Sequence, residues 1–310
     1  MEGITNLMNQ FIYTITTEDK NEGLTIKDIV KKRFDFSTRL RNKIKRNSMV
    51  YVNDKAAVFW TSAEPGDVVK VCLPEETNTF IPENIPLDIL FEDEHLLIIN
   101  KSPGIVAHPT KGQPNHTLSN AIAFYLQESK QNFKIRFINR IDMDTSGIIM
   151  ISKTSYAQAI ISKEMKANNV SKEYIALVFG NLEKKVGTIN FPIGRPSEDS
   201  VARAVMIDGQ EAITHYSVTE EFRNGKFSLL SLKLETGRTH QIRVHLSHIG
   251  HPIVGDYLYG GEFPILIERQ ALHASSISFT HPITKKRVTL NAPLPTDISN
   301  AITYLKDTEI

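Results

Sequence analysis

The chain is poor in the residue types that mark several common chemistries. It holds a single cysteine, Cys72, among 310 residues, so no intramolecular disulfide framework is possible. Cys72 lies in a strand-like run between Val71 and Leu73, which predicts a reducing compartment and argues against thiol catalysis. No apolar run approaches the roughly 18 residues needed to span a bilayer. The opening Met1-Glu2-Gly3-Ile4-Thr5-Asn6 has neither a basic n-region nor an apolar h-region. These absences predict a soluble cytoplasmic protein with no membrane partner. His-Glu-x-x-His, Cys-x-x-Cys, Gly-x-x-x-x-Gly-Lys and Gly-x-Ser-x-Gly are all missing, which removes the usual signatures of metal, nucleotide and serine-hydrolase chemistry. His240, His245, His248 and His251 crowd one stretch, but Gly250 and Pro252 end any helix there, and no cysteine or nearby acid completes a ligand set. Neither a metal nor an organic cofactor is expected.

What is present is a globular balance, 41% hydrophobic and 23% charged, in a chain long enough for two domains. Net charge is only +1, yet its distribution is uneven. Residues 20–70 carry twelve Lys/Arg against six Asp/Glu, and the remainder carries 24 against 29. A basic module joined to a mildly acidic larger domain is the asymmetry of a nucleic-acid-binding appendage. Arg39, Arg41 and Lys43 stand where that excess is sharpest and are candidate RNA contacts. Within the module, Thr25 and Asp28 form a capping-box pattern ahead of an apolar stripe at Ile26, Ile29, Val30 and Phe34. Ser37 or Thr38 can cap a second helix with Leu40 and Ile44 inward. A hairpin is expected from Met49–Val52, a turn at Asn53-Asp54, and Ala56–Trp60, followed by a strand over 68–73.

These features predict a small basic domain that binds RNA or DNA over residues 1–75, with its core at about 22–73. The proline-bearing residues 76–86 read as a linker, and a larger domain is expected over 87–305. Short strands recur there at 89–91, 96–99, 172–179, 213–218, 227–234 and 286–290, with helical patterns near 117–127, 155–167 and 239–249. Mixed strands and scattered helices without a βαβ rhythm predict an α+β fold around a largely antiparallel sheet.

Two positions in this larger domain stand out. Asp142 lies within Arg-Phe-Ile-Asn-Arg-Ile-Asp-Met-Asp-Thr-Ser-Gly (136–147), flanked by Arg140. The alternation of Ile135, Phe137, Ile138 and Ile141 predicts a strand leading to it, Thr145-Ser146-Gly147 a turn, and Gly147–Ile151 a second strand. Arg238 follows an alternating strand and Gly237, at the start of a helix that Thr239 can cap, with Ile242, Leu246 and Ile249 facing inward. A cation beside a helix N-terminus is mildly disfavoured, so a carboxylate or phosphate partner is expected.

Several segments, in order, resemble the motifs of the RluA/RluD family of RNA pseudouridine synthases. They are Lys101-Ser102-Pro103-Gly104-Ile105-Val106-Ala107-His108-Pro109, Asn139-Arg140-Ile141-Asp142-Met143-Asp144-Thr145-Ser146-Gly147 and Ser171-Lys172-Glu173-Tyr174. Pro192-Ile193-Gly194-Arg195, the run Thr236–Leu246, Gly250–Asp256, Leu272-His273-Ala274 and His281-Pro282 continue the series. The likeness spans about residues 85–295, and the basic module resembles the small RNA-binding domain named after ribosomal protein S-four. The resemblance implies an isomerase acting on specific uridines without a cofactor, with large-subunit ribosomal RNA the first expected target and transfer RNA the second. It implies Asp142 as the essential aspartate and Tyr174 as the tyrosine that stacks on the base and helps deprotonate C5. Arg238 would pair with Asp142, and Arg140 would fill the gap left by the extruded nucleotide. Lys101, His108 and Thr145 are expected to meet substrate. Asn139 departs from the family's usual histidine and Ile141 from its leucine, with the first expected to change how the Arg140 loop meets RNA. A ribosome-assembly protein that binds RNA without isomerising it is the alternative from another class. A glycosidase-like hydrolase would want a second carboxylate, for which Asp144 is poorly placed. The working form is expected to be a monomer.

Overall fold

Why the chain forms two main sheets, beside a small two-stranded one of Ile193–Gly194 and Ala204–Val205, follows from where its apolar residues alternate. The computed structural model describes residues 4–7, 10–34, 36, 38–73, 76–110, 112–261, 263–264 and 266–307. A five-stranded antiparallel sheet is built from Ile4–Leu7, Gln10–Thr14, Val68–Cys72, Val50–Val52 and Lys55–Ala56, in that spatial order. Phe11, Tyr13 and Ile15 alternate inward, as do Val69, Val71 and Leu73, the period-two burial of a one-faced sheet. The N-terminal unit therefore begins upstream of its expected core, with two strands and the short helix Thr17–Asn21 added before residue 22. The capping box at Thr25 and Asp28 forms as expected, starting the helix Ile26–Lys32. Its Ile26, Ile29 and Val30, with Phe34 beyond its end, are buried. On the helix Thr38–Arg46, Leu40 and Ile44 point inward. Ser37, the other candidate cap, lies outside the described residues. The hairpin turn at Asn53 and Asp54 has both residues at positive φ, 49° and 60°, the geometry that matches strand twist. Its second strand stops at Ala56. The chain then turns inward to bury Phe59, whose carbonyl accepts from Lys27 N–H.

The larger sheet has ten strands. Its main path runs Val186–Asn190, Ile213–Phe222, Phe227–Leu234, Ser171–Phe179, Leu272–Thr280, Ser146–Ser152, Leu96–Lys101, Asp88–Glu92. Arg287–Asn291 pairs with Leu272–Thr280, and Arg136–Phe137 with Ser146–Ser152. The pairings are antiparallel except where Ser146–Ser152 meets Leu272–Thr280 side by side, so the expected α+β architecture with a largely antiparallel sheet is what forms. Packed against this sheet are the helices Leu118–Glu128, Ser155–Lys166, Gln241–His248 and, not anticipated, Thr296–Asp307, which buries Ile298, Ala301 and Leu305. Among the described residues no helix is long and apolar enough to cross a membrane.

The single parallel contact sits at the centre of the sheet, through His273 opposite Ser146 and Ala274 opposite Gly147. Gly147 has φ +108°, and a Cβ there would fall 2.2 Å from the Ala274 carbonyl oxygen. Only glycine allows this approach, and the approach brings the end of the 138–145 loop beside Tyr174, whose strand partner is also Ala274.

Residues 76–86 do not hang between the two sheets as a slack tether. Glu76 pairs with Lys43 on one side and Arg136 on the other. Phe80 and Ile85 pack on the cluster around Leu118 and Ile122, and Asn120 Nδ2 donates to the Ile81 carbonyl. Tyr156 and Ile160, from the helix Ser155–Lys166, enter the apolar cluster of the N-terminal unit. The Tyr156 ring lies 4.8 Å from Phe11 and 5.5 Å from Phe36, edge-on to both.

Candidate active site

Asp142 stands on a loop rather than on the strand expected from its apolar neighbours. The strand Arg136–Phe137 ends early because Asn139 spends its side chain on the neighbouring strand. Asn139 Nδ2 donates to Ile148 O (3.0 Å), and Asn139 Oδ1 accepts from Met150 N–H (2.7 Å). The departure at this position is thus a brace behind the loop. Three cations secure the other side. Lys101 Nζ donates to Met143 O (2.7 Å), Arg269 Nη1 to Asp144 O (2.8 Å), and Arg243 Nη1 to the Asp142 carboxylate at Oδ2 (3.0 Å). The Asp142 side chain is 25% exposed, so it is held from within and open to a cleft.

The cleft has a volume of about 530 Å³ and is walled by Asp142, Tyr174, Arg140, His108, Thr145 and the 237–243 segment, among others. Of the expected substrate-contacting residues in this domain, Arg140 is exposed at its edge. His108 lines it edge-on to Phe137 at 4.5 Å, and Thr145 lines it from a buried position, accepting from Gln270 Nε2 (3.3 Å). Lys101 does not belong to this group. It is 1% exposed, and its ammonium also donates to Ser102 O (2.8 Å) and Ile105 O (3.0 Å). Its three donors are spent on backbone, so it anchors the Asp142 loop and cannot reach RNA. Burial, modulated by Asp144, Arg269 and Asp142, pushes its pKa down to about 7.

The partner of Asp142 is Arg243, and not Arg238 as expected. Arg238 is exposed, and its Nε donates to Glu211 O (2.9 Å). The cause is the way the helix starts. Thr239 does not cap it; His240 occupies the N-cap in a left-handed conformation, φ 56°. The buried Gln241 carboxamide ties the preceding loop to the sheet, accepting from Thr236 Oγ1 (2.8 Å) and Arg238 N–H (2.9 Å) and donating to Ile213 O and Thr214 Oγ1 (both 3.0 Å). Arg238 is thereby turned outward, and Arg243, inside the first helical turns, points at Asp142. Arg243 is also held by Asp256, Nε to Oδ2 at 2.7 Å and Nη2 to Oδ1 at 2.8 Å. This two-pronged pair fixes the plane of the guanidinium, leaving Nη1 for Asp142. Burial works against the Arg243 charge, but Asp256 and Asp142 outweigh it and raise its pKa.

Tyr174 is buried in its strand and lines the cleft. Burial first, and the Asp142 charge second, raise its hydroxyl pKa. The ring is a neutral phenol that can stack on a base. Lys172, two residues earlier on the same face, also lines the cleft, its pKa lowered by burial. The histidines once suggestive of metal have other duties. His245 bonds Thr214 Oγ1 (2.9 Å) and Phe191 O (3.0 Å), and His251 bonds Phe179 O (2.9 Å). In the N-terminal unit, Arg39 is exposed. Arg41 folds onto Phe36 O and Thr38 Oγ1 (both 3.1 Å), and Lys43 is engaged with Glu76 (3.1 Å). Only Arg39 of these three expected contacts keeps its charge fully outward.

Residue reasoning missed Arg243, Asp256 and Lys172. Their signals were a cation inside a helix buried on most sides, an acid beside Gly255, and a cation on the face of Tyr174.

Comparison with known proteins identifies the family. The family model for RNA pseudouridylate synthases matches residues 95–248. An uncharacterized RNA pseudouridine synthase of Bacillus subtilis (strain 168) is 40% identical over 287 residues, covering 92% of this chain and 95% of that one. The ribosomal large subunit pseudouridine synthase D of Yersinia pestis is 41% identical over 249 residues, 76% of each chain. Among solved structures, human RNA pseudouridylate synthase domain containing 1 superposes with a TM-score of 0.55 at 25% identity, covering 72% of this chain and 96% of that one.

Proposed function

The chain belongs to the RNA pseudouridine synthase family, isomerases that act on RNA, and from that premise we propose that it converts specific uridines of large-subunit ribosomal RNA to pseudouridine. The observation that carries this reading is a lone, partly exposed carboxylate, Asp142, clamped by Arg243 in a cleft that also presents Tyr174. The reaction breaks the C1′–N1 bond, turns the base, and joins C5 to C1′. The C5 proton leaves and N1 gains one, with no net oxidation or hydrolysis. Asp142 acts at the ribose, which a carboxylate can do without a cofactor. Tyr174 stacks on the base, which must be extruded from its helix at a cost of a few kcal/mol. Arg243 aims the carboxylate, and Arg140 occupies the space the extruded nucleotide leaves.

The N-terminal unit, similar in pattern to the S-four domain, supplies phosphate contacts through its outward cations. Each phosphate neutralised releases counterions and strengthens binding in a salt-sensitive way. Large-subunit RNA is preferred over transfer RNA because relatives of similar identity, including the Yersinia pestis protein, carry that substrate in their names. A cytoplasmic monomer is the proposed working form.

The test is tritium release from 5-tritiated uridine in ribosomal and transfer RNA, comparing the protein with Asp142→Asn. Release from ribosomal RNA that vanishes in the variant is the expected result. Release from transfer RNA alone would replace the target. RNA binding without release from either pool would overturn the isomerase reading in favour of an RNA-binding assembly factor.

A further inference from the structure

Behind Asp142 lies a short polar chain that the proposed chemistry does not use. His240 Nε2 is 3.9 Å from Asp142 Oδ2, the same oxygen that accepts from Arg243. His240 Nδ1 is 2.8 Å from the Tyr259 hydroxyl, and that hydroxyl oxygen accepts from Arg203 N–H at 2.8 Å. The Tyr259 ring packs beside Ile193, Ala212 and Val244, and the Arg243 guanidinium lies over it at 5.1 Å. His240 holds a left-handed backbone conformation, φ 56°, that residues with a Cβ seldom adopt. Such an outlier persists where its surroundings over-determine it, which is a reason to ask what the side chain does.

The contacts of the Tyr259 hydroxyl favour one direction for its hydrogen bond with His240. The Tyr259 oxygen already accepts from Arg203, and among the described residues its remaining partner is His240 Nδ1. With one acceptor site of its oxygen filled by Arg203, the hydroxyl is best placed to give its one proton to Nδ1, an arrangement in which Nδ1 is unprotonated. The proton of a neutral imidazole is left on Nε2, facing Asp142.

We infer that Tyr259 is a positioning residue that locks His240 as its Nε2–H tautomer, so that a neutral N–H and Arg243 together hold Asp142 Oδ2 and leave Oδ1 for the substrate. This rests on the isomerase reading above and adds to it how the carboxylate is aimed. At 3.9 Å the His240 contact is longer than a hydrogen bond, and the inferred role requires it to shorten when substrate fills the cleft. Neutrality matters, because a second full cation on Oδ2 would blunt the carboxylate as nucleophile or base. The groups facing His240 balance in sign, Asp142 and Asp256 against Arg243 and Arg203. Burial therefore dominates and lowers its pKa below the ordinary histidine value.

The experiment reads the imidazole directly and needs no RNA. Long-range ¹H–¹⁵N correlation spectra of the full-length protein, with His240 assigned by its loss in His240→Gln, should show a neutral Nε2–H ring at pH 7. In Tyr259→Phe, which keeps the ring and its packing, the tautomer should mix or switch. A charged or Nδ1–H ring in the unaltered protein, or a Phe variant with the tautomer unchanged, would overturn the inference. Turnover provides the second arm. Without the donated hydroxyl proton Nδ1 can be protonated, so the acidic limb of the pH–rate profile should move to higher pH in Tyr259→Phe. There kcat should fall about tenfold with KM unchanged, the scale of one hydrogen bond to a charged site. His240→Gln, which keeps an N–H near the Nε2 position, should retain more activity than His240→Ala; equal losses would count against the inference. If the unaltered protein proves inactive on RNA while the tautomer result holds, the isomerase reading fails and the geometry of the dyad stands.

Discussion

The floor of the cleft and its outer surfaces use the same kind of charge in opposite ways. On the floor, Arg243, Arg269 and Lys101 are buried or nearly so, and each is bound to specific partners. Arg243 meets Asp142 and Asp256, Arg269 meets Asp297 and the Asp144 carbonyl, and Lys101 meets three carbonyls. On the rim and on the N-terminal unit, Arg140, Arg238, Arg39, Lys45 and Arg46 are exposed. Paired buried cations fix geometry and contribute nothing to long-range attraction. Exposed ones attract phosphate and fix little. On the proposed function, the split assigns precision at Asp142 and affinity for RNA to separate sets of residues, and it can be attacked at either end.

The largest effect belongs to the floor. Asp142→Asn keeps the shape and removes the charge, and single-turnover tritium release should fall by about 10⁴-fold or more, the scale of losing a nucleophile. Next is Arg243→Met, which leaves Asp256 buried without its partner. Denaturant unfolding should show a loss of about 3–5 kcal/mol, and turnover should vanish with it. Arg238→Ala sharpens the contrast between two arginines five residues apart. It should fold normally and raise KM with kcat nearly unchanged, and a collapse of kcat would return the catalytic role to Arg238.

The N-terminal unit has one feature of the floor type, Asp19, buried and bonded by Tyr13, Thr16 and Arg33. Burial raises the pKa of its carboxyl, but these bonds outweigh it and hold the value at about 2, below the ordinary 3.8. A depressed carboxylate stabilises the fold above its unfolded pKa and loses that contribution as pH falls through its folded one. Unfolding measured between pH 5 and pH 1 should therefore show a loss of roughly 2 kcal/mol that Asp19→Asn removes. Smallest is the double change Arg39→Ala with Arg46→Ala. It should leave kcat intact, weaken RNA binding severalfold, and lower the salt slope of binding by about one per cation in contact.

The division was partly legible in the residues. Alternation exposed the strands at 172–179 and 227–234, and the apolar stripe of Ile26, Ile29 and Val30 located the basic helix pair. Gln10–Thr14 carries the same alternation, Phe11 and Tyr13 inward, and could have been read. So could the 3–4 spacing of Ile298, Ala301 and Leu305 in the last helix. The Asp142 loop was less readable, because Ile138 and Ile141 extend the apolar pattern past the point where Asn139 bonds end the strand. Arg243 was hidden for a different reason. Gln241 through Leu246 are all buried, so polar and apolar positions do not separate by face, and only the long-range partner Asp256 explains the cation. Lys101 misled because sequence cannot tell a lysine that reaches out from one whose donors are spent on its own backbone.

The close crossing at Gly147 has a consequence for when the enzyme can first act. Ser146 meets His273 across 127 residues of chain, and Asp142 waits 101 residues for Arg243. Contacts so remote in sequence are slow to form and cannot begin until the later segment exists. During synthesis the aspartate therefore emerges well before the arginine that aims it and the strand that seats its loop. The cleft stays incomplete until residues 243–274 have been made. Competence at the cleft waits on the later segment, in an order written into the topology itself.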